Sequence, residues 1–396
     1  MAGEARRRIK RYSAVAALAL CLFTAACSNE AATVADSREA AATAISAGPE
    51  ELLGLAEKGD ATAEYYLGLN YEFGEGVPQD HFQAVDWFSK AAAQDHVEAS
   101  YWLGLAYSRG FGAAADRTEA FNWFLKAANK DYAEAQYFVG LAYMHGTGVA
   151  KNEAEGVRWL RRAANQTSKN ASDSGVNLSQ YNLGIAYQQG LGVGQDSDEA
   201  VKWFRRAADS GNVEAQYNLA HAYDEGLGVS RDPEQAVGWY RKAADMNYAP
   251  AQYNLGVAYE KGLGVAQDSS QALEWYRKSA SAGYPEAEYN LGVAYAFGQG
   301  VEANLPEAVS WFRKAADHGS AQAQFNLGVL HVQGEGVKQD SVEAMKWFTL
   351  AANAGDAEAA GARDQMALAL TPAQQAEAKR RVESWVATSQ VDAPPE

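Results

Sequence analysis

The chain has 396 residues, of which 47% are hydrophobic and 11% aromatic, and it contains only 9 prolines and two cysteines. This content of packing side chains is too high for a disordered chain. The formal net charge of −16 rules out nucleic acid as a partner held by phosphate neutralisation, and it favours basic partners instead.

The first 26 residues predict an export signal. Basic residues between Arg6 and Arg11 precede a short apolar run from Ala14 to Ala26. This run is too short to span a bilayer as a helix, so we expect residues 1–26 to be removed as a signal peptide.

The end of this signal, Phe23-Thr24-Ala25-Ala26-Cys27-Ser28, resembles the lipobox of bacterial lipoproteins. The resemblance implies that Cys27 is lipidated and becomes the first residue of the mature chain. It also implies membrane attachment through the N-terminal lipid only, on the periplasmic side of the envelope and at the outer membrane. The alternative is an ordinary signal peptide cut after Ala26. Because Cys21 leaves with the signal, we expect no disulfide, and residues 27–49 read as a flexible tether.

Eight tryptophans lie 36 residues apart, except for one interval of 44 residues. They are Trp87, Trp123, Trp159, Trp203, Trp239, Trp275, Trp311 and Trp347. A fixed period of this length is the signature of a repeat architecture. The spacing predicts eight helix–turn–helix units over residues 50–355, with an insertion at 165–180 that reads as a polar loop.

The second helix of each unit, helix B, is predicted to begin seven residues before its tryptophan. Only Asp or Asn occurs there, and Glu or Gln follows three residues later, which predicts a reciprocal capping box. The apolar residues Ala200, Trp203, Phe204 and Ala207 then follow helical spacing. Eight residues after the tryptophan, Asp, Asn or Gly predicts a left-handed helix end in every unit except at Thr167.

The first helix, helix A, has an apolar face that the fifth unit shows as Ala215, Leu219, Ala222 and Tyr223. A glycine stands in mid-helix in seven of the eight units, and each costs about 1 kcal/mol relative to alanine. We expect a close approach of two helices to offset that cost. Helix A ends in every unit at Gly-x-Gly, which suits a sharp reversal into helix B.

The unit resembles the Sel-one-like repeat, a relative of the tetratricopeptide repeat. The matching residues read Ala-x-Ala-Gln-Tyr-Asn-Leu-Gly-x-Ala-Tyr, Gly-x-Gly-Val and Ala-Val-x-Trp-Phe/Tyr-x-x-Ala-Ala. The resemblance implies an all-α fold, an α-solenoid that winds as a right-handed superhelix with a concave inner surface. It also implies an adaptor for protein complexes. A truncated helix B at 50–58 and capping helices with a loose tail at 356–396 are expected to close the two ends.

The sequence offers no pattern for catalysis, a cofactor or a metal. No two of the six histidines stand four residues apart, and no thiol cluster or nucleophile motif is present. Some cysteine-rich members of the family that this chain resembles have been described as β-lactamase-like, but their disulfide-paired cysteines are missing here. We therefore expect no enzyme, with a β-lactamase-like hydrolase as a remote alternative.

One column of helix A varies along the chain while its neighbours do not. It consists of Tyr66, Trp102, Phe138, Asn182, Asn218, Asn254, Asn290 and Asn326. These residues are the candidate partner-binding site, an asparagine groove for extended peptide backbone with an aromatic patch at its N-terminal end. The alternative is that the asparagines bond the adjacent repeat and the aromatic rings pack. A basic column in helix B, such as Arg241-Lys242, suits either the helix dipole or an anionic polymer.

These features predict a non-catalytic scaffold or regulatory adaptor of the bacterial envelope that binds other envelope proteins or peptides through its concave face. The alternative is a scaffold lipoprotein for the export or binding of polysaccharide or peptidoglycan, with polysaccharide as the partner.

Overall fold

The computed structural model describes residues 48–166 and 174–391. Cys27, the predicted signal peptide and most of the predicted tether lie outside these residues. Nineteen helices and no strands occupy the described residues. They are α1 (Pro49–Ala56), α2 (Ala61–Phe73), α3 (His81–Ala93), α4 (Val97–Arg109), α5 (Arg117–Ala128), α6 (Ala133–His145), α7 (Glu153–Ala164), α8 (Ser174–Gln189), α9 (Ser197–Asp209), α10 (Val213–Glu225), α11 (Pro233–Asp245), α12 (Ala249–Lys261), α13 (Ser269–Ser281), α14 (Pro285–Phe297), α15 (Leu305–Asp317), α16 (Ala321–Gln333), α17 (Ser341–Asn353), α18 (Ala357–Ala369) and α19 (Pro372–Val391).

The even-numbered helices α2 to α16 are the helices A of the eight repeats, and the odd-numbered helices α3 to α17 are the helices B. The chain divides into two compact units, residues 1–215 and 216–396. In seven of the eight repeats, all but the fifth, the helix A packs extensively against the helix B that follows it. The prediction of an all-α architecture built from helix pairs is therefore confirmed.

The predicted start of helix B is half right. The Asp or Asn side chain accepts backbone N–H groups of the first turn, as Asp268 does from Ser270 at 2.9 Å and Gln271 at 3.0 Å. The second bond of the predicted capping box, from the N–H of the capping residue to the Glu or Gln side chain, is wrong, because that N–H donates to another acceptor. In all eight repeats it donates to a carbonyl in the last turn of helix A, as Asp268 does to Tyr259 at 2.9 Å. This bond fixes the loop between the two helices instead.

The two capping positions should therefore respond differently to alanine. Asp268→Ala is expected to lower the free energy of unfolding by about 1 kcal/mol, since it removes the acceptor for two amides. Gln271→Ala should change it by about 0.5 kcal/mol or less, because this half-buried side chain bonds only to the exposed Glu274 and not to the Asp268 backbone. Urea unfolding of both variants measures the difference, and equal losses would restore the reciprocal box.

The glycines in mid-helix allow the close approach that the sequence predicts. A Cβ added at Gly256 would lie 2.6 Å from the ring of Tyr276 in the helix B of the same repeat. Phe88, Phe124, Leu160, Phe204, Phe312 and Phe348 stand in the same relation to the glycines of their repeats. The large side chain that follows the tryptophan, aromatic in every one of these repeats except at Leu160, thus occupies the space that a side chain on helix A would fill.

The second glycine of Gly-x-Gly forms a contact with the preceding repeat in units such as the sixth. Gly264 has φ +68°, and a Cβ there would lie 2.1 Å from the carbonyl oxygen of Pro233, the first residue of the preceding helix B. At the N-terminal end, a Cβ on Gly76 would also meet the first residue of a helix, Pro49 of α1, although here through the proline ring at 2.4 Å. This contact supports α1 as a truncated helix B, with Leu52 and Ala56 buried, although Leu55 is 39% exposed.

The insertion is only partly the loop that its composition suggests. α8 begins at Ser174 and is 16 residues long, whereas most helices A have 13. Its added turn packs against the start of α6, because a Cβ on Gly175 would lie 2.4 Å from the Glu134 amide nitrogen. Residues 167–173 lie outside the described residues, and with them the expected irregular helix end at Thr167.

At the C-terminal end, α19 packs on α17 and closes the array. Trp385 lies edge-on to Trp347 with ring centroids 6.2 Å apart, and its Nε1 donates to Asp317 at 3.2 Å. Arg381 donates to Glu343 at 2.8 Å and to Asp340 at 3.2 Å. Although burial works to raise the pKa of Glu343, Lys346 and Arg381 outweigh it and hold that pKa below its usual value.

Candidate functional site

The aromatic members of the predicted binding column are less accessible than the sequence suggests. Trp102 is only 3% exposed, and its ring stacks on Phe88 with centroids 5.7 Å apart. Phe138 is half-buried and stacks on Phe124 at 4.8 Å. Tyr66 is also half-buried, beside the Tyr65 ring at 5.2 Å. Trp102 therefore belongs to the core rather than to an accessible patch, because the preceding helix B fills the space above it.

The asparagines of the column are half-buried at the surface of the helices A. Asn182 donates to the Leu178 carbonyl of its own helix at 2.9 Å. Further along, Asn254 lies beside Tyr217 and Tyr240 of the preceding repeat, close enough to influence the ionisation of both hydroxyl groups. Asn290 stands in the same relation to Tyr253 and Tyr276. The asparagines thus lie next to the adjacent repeat, and the binding role of the eight column residues, including Asn218 and Asn326, stays a prediction.

Tyrosines that the sequence analysis did not single out surround these asparagines. In the second unit, Tyr217 lies 5.4 Å from Tyr248, and Tyr253 lies 5.5 Å from Tyr284, between ring centroids. All four rings are half-buried. The signal was present in the sequence, because a tyrosine precedes the column asparagine in the fourth to seventh repeats.

Burial, reinforced by the carboxylate of Glu286, raises the pKa of Tyr217 and Tyr253, and it raises the pKa of Tyr284 to about 12. These hydroxyl groups therefore remain protonated near neutral pH and are available as hydrogen-bond donors. This part of the helix A surface therefore presents both the hydroxyl groups of tyrosine rings and the amide groups of asparagines.

The basic column of helix B is engaged in the fold. The cation three residues after each of the first seven tryptophans lies over that tryptophan ring, 3.5–5.3 Å from its centroid. Two of these cations also bond to the C-terminal carbonyls of the preceding helix B, Lys126 to Ala92 at 2.6 Å and Arg206 to Ala164 at 2.8 Å. These contacts support the structural role of the column over a site for an anionic polymer.

The neighbouring arginines reach the tyrosines at the end of helix A. Arg161 donates to the Tyr187 hydroxyl at 2.6 Å, and Arg277 donates to Tyr295 at 3.0 Å. Arg241 makes the same bond to Tyr259. The contact between a cation and an aromatic side chain thus recurs in several repeats.

Within residues 48–166 and 174–391, no group of three or more His, Cys, Asp or Glu side chains could hold a metal ion. None of the helices in these ranges combines the length and apolar character needed to cross a membrane.

Comparison with known proteins identifies the repeat. The family profile described as Sel1 repeat matches eight segments, residues 61–96, 97–132, 133–168, 177–212, 213–248, 249–284, 285–320 and 321–356. None of the curated proteins matches the chain.

Two solved structures share the fold at substantial identity. A protective antigen of uropathogenic Escherichia coli strains, which displays an SLR fold, is 30% identical with a TM-score of 0.56, and the match covers 88% of this chain and 98% of that one. A Sel1 repeat protein from Oxalobacter formigenes is 32% identical with a TM-score of 0.62, over 80% of this chain and 89% of that one. Sel1 repeat proteins are generally protein-interaction scaffolds, and their all-α solenoid is typically non-enzymatic. The chain belongs to the Sel1 repeat family.

Proposed function

We propose that the chain is a protein–protein interaction scaffold or regulatory adaptor of the bacterial cell envelope. The observation that carries this proposal is the helix A surface, where a half-buried aromatic or amide side chain of the column recurs in every repeat except the second. Rings with a polar tip are the side chains that contribute most to protein interfaces. Similar positions thus recur along the helices A within each unit, which suits an extended partner better than a small molecule.

The proposed location in the cell envelope rests on the sequence before residue 48. The proposed anchor is a lipid on Cys27, which would leave the repeats outside the cytoplasm and tethered by residues 28–47. Cys27→Ala is expected to abolish fatty-acid labelling and to release the protein from the membrane fraction. Labelling by radioactive palmitate and fractionation of cells measure both effects. Unchanged membrane attachment of the variant would contradict the anchor.

Partner binding can be tested by chemical crosslinking in intact envelopes, followed by mass spectrometry of what is captured. A stoichiometric protein partner is expected. Tyr66→Ala should reduce its capture about fivefold or more, the effect of removing an interface side chain worth over 1 kcal/mol. Phe82→Ala is the matched control, because Phe82 is an aromatic side chain on helix B that is 72% exposed.

Capture of glycan with no stoichiometric protein would contradict the scaffold proposal and favour the polysaccharide alternative. Equal losses for Tyr66→Ala and Phe82→Ala would contradict the assignment of the binding surface to the helices A.

A further inference from the structure

Charge is unevenly distributed between the helices of the second unit. From residue 216 to α14, the helices A carry the exposed or half-buried carboxylates of Asp224, Glu225, Glu260 and Glu286 but a single Lys or Arg residue, Lys261. Apart from Arg231 in the loop before α11, the other Lys and Arg residues of the same repeats lie on the helices B, as Arg241 and Lys242, Arg277 and Lys278, and Arg313 and Lys314. The helix A surface of this unit is therefore acidic, while the nearby cations are engaged by tryptophan and tyrosine side chains.

The tyrosine patch, formed by Tyr217, Tyr248, Tyr253, Tyr284 and Glu286, lies on this acidic surface. Its rings form the two close pairs described above. Glu286 is exposed in the first turn of α14 and lies close enough to influence the ionisation of Tyr217, Tyr253 and Tyr284. Its carboxylate and the four rings thus belong to one continuous surface.

Glu286 has no ion-pair partner among the described residues of its unit. No Lys, Arg or His nitrogen of the described residues 216–391 lies within 4 Å of its carboxylate. An exposed carboxylate beside half-buried rings matches a primary ammonium or guanidinium group, which pairs with the carboxylate and lies against a ring. The molecule uses the contact between an ammonium group and a ring internally, where Lys242 lies 3.5 Å from the centre of the Trp239 ring.

We propose that the tyrosine patch binds a segment of the partner protein that carries lysine or arginine side chains. This inference rests on the proposed function and names the chemistry of the partner. The asparagine amides beside the rings, Asn254 and Asn290, add groups that bond to extended backbone. The net charge of −16 steers a basic segment toward the protein from a distance, so association should weaken as salt is added.

The test uses the purified full-length protein and a fluorescent oligolysine peptide, with binding measured by anisotropy. Glu286→Gln is expected to weaken binding about three- to fivefold, the effect of losing one partly exposed ion pair. The charge reversal Glu286→Lys should weaken it about tenfold or more, because repulsion replaces attraction. Glu274→Gln is the matched control, since Glu274 is an exposed carboxylate of helix B in α13 and should leave binding unchanged. Circular dichroism of each variant verifies that the helices are retained.

A second measurement locates the peptide directly. An oligolysine peptide with a photo-crosslinking group should label residues between Tyr217 and Tyr289 in mass spectra. Equal loss of binding for Glu286→Gln and Glu274→Gln, labelling elsewhere, or no binding of oligolysine would overturn the proposal. Binding of chitin oligosaccharides in place of oligolysine would also overturn it, in favour of a glycan.

The two proposals can fail separately. If envelope crosslinking captures a protein but oligolysine does not bind, the basic chemistry is wrong and the scaffold role stands. If oligolysine binds through Glu286 but no protein is captured in the envelope, the patch stands and the scaffold role is wrong.

Discussion

Gly264→Ala is expected to lower the free energy of unfolding by about 2–4 kcal/mol. The residue has φ +68°, which costs an alanine about 1 kcal/mol. A Cβ would also lie 2.1 Å from the carbonyl oxygen and 2.4 Å from the carbonyl carbon of Pro233. Both atoms belong to the first turn of α11, so the clash is relieved only if two adjacent repeats move apart.

Gly262→Ala is the matched control for this prediction. Gly262 has the same φ of +68°, but its nearest contact is the Cβ of Gln267 at 3.3 Å. It should therefore cost only the backbone strain, about 1 kcal/mol. Urea unfolding followed by circular dichroism measures both variants. Equal losses would show that backbone conformation alone requires the second glycine, and that the contact between repeats is compliant.

Trp347→Ala should be the most damaging replacement in the tryptophan ladder, with a loss of about 3–5 kcal/mol. Trp347 is fully buried, with 0% of its surface exposed. The ring of Trp385 from α19 lies against it, and Lys346 and Arg313 lie 4.1 Å and 5.5 Å from its ring centre. Its removal leaves a cavity under the helix that closes the array.

Trp311→Ala provides the comparison at the equivalent position of the preceding repeat. Trp311 is only half-buried, and Lys314 lies over its ring at 3.9 Å. Its loss should be about 2 kcal/mol, in proportion to the smaller area that it buries. Thermal unfolding of the two variants provides the measurement. A loss at Trp311 as large as that at Trp347 would contradict the capping role of α19.

The local features of the fold were predictable because their signals lie close together in the sequence. The Asp or Asn caps of helix B, the Gly-x-Gly ends of helix A and the left-handed helix ends at Asp95, Asp131 and Asn247 all appear where expected. The close approach at the mid-helix glycines was also predictable, since a cost repeated in seven units needs a compensating contact.

The accessibility of the candidate site was not predictable in the same way. Trp102 and Asn254 occupy equivalent positions in their repeats, yet one is core and the other lies at the surface. The difference depends on what the preceding repeat presents. Phe88 and Phe73 enclose Trp102, whereas Tyr217 and Tyr240 turn hydroxyl groups toward Asn254.

The sequence by itself determined the repeat, its helices and their ends, because these depend on hydrogen bonds and packing within about one repeat length. Only the tertiary structure decided which carbonyl group accepts the N–H of each capping residue, which aromatic rings are accessible and where Glu286 lies relative to the tyrosines. Those outcomes depend on contacts between helices, such as Asp268 to Tyr259 within a repeat and Lys126 to Ala92 between repeats. In such contacts the neighbouring surface, rather than the residue type, sets the burial and the bonding.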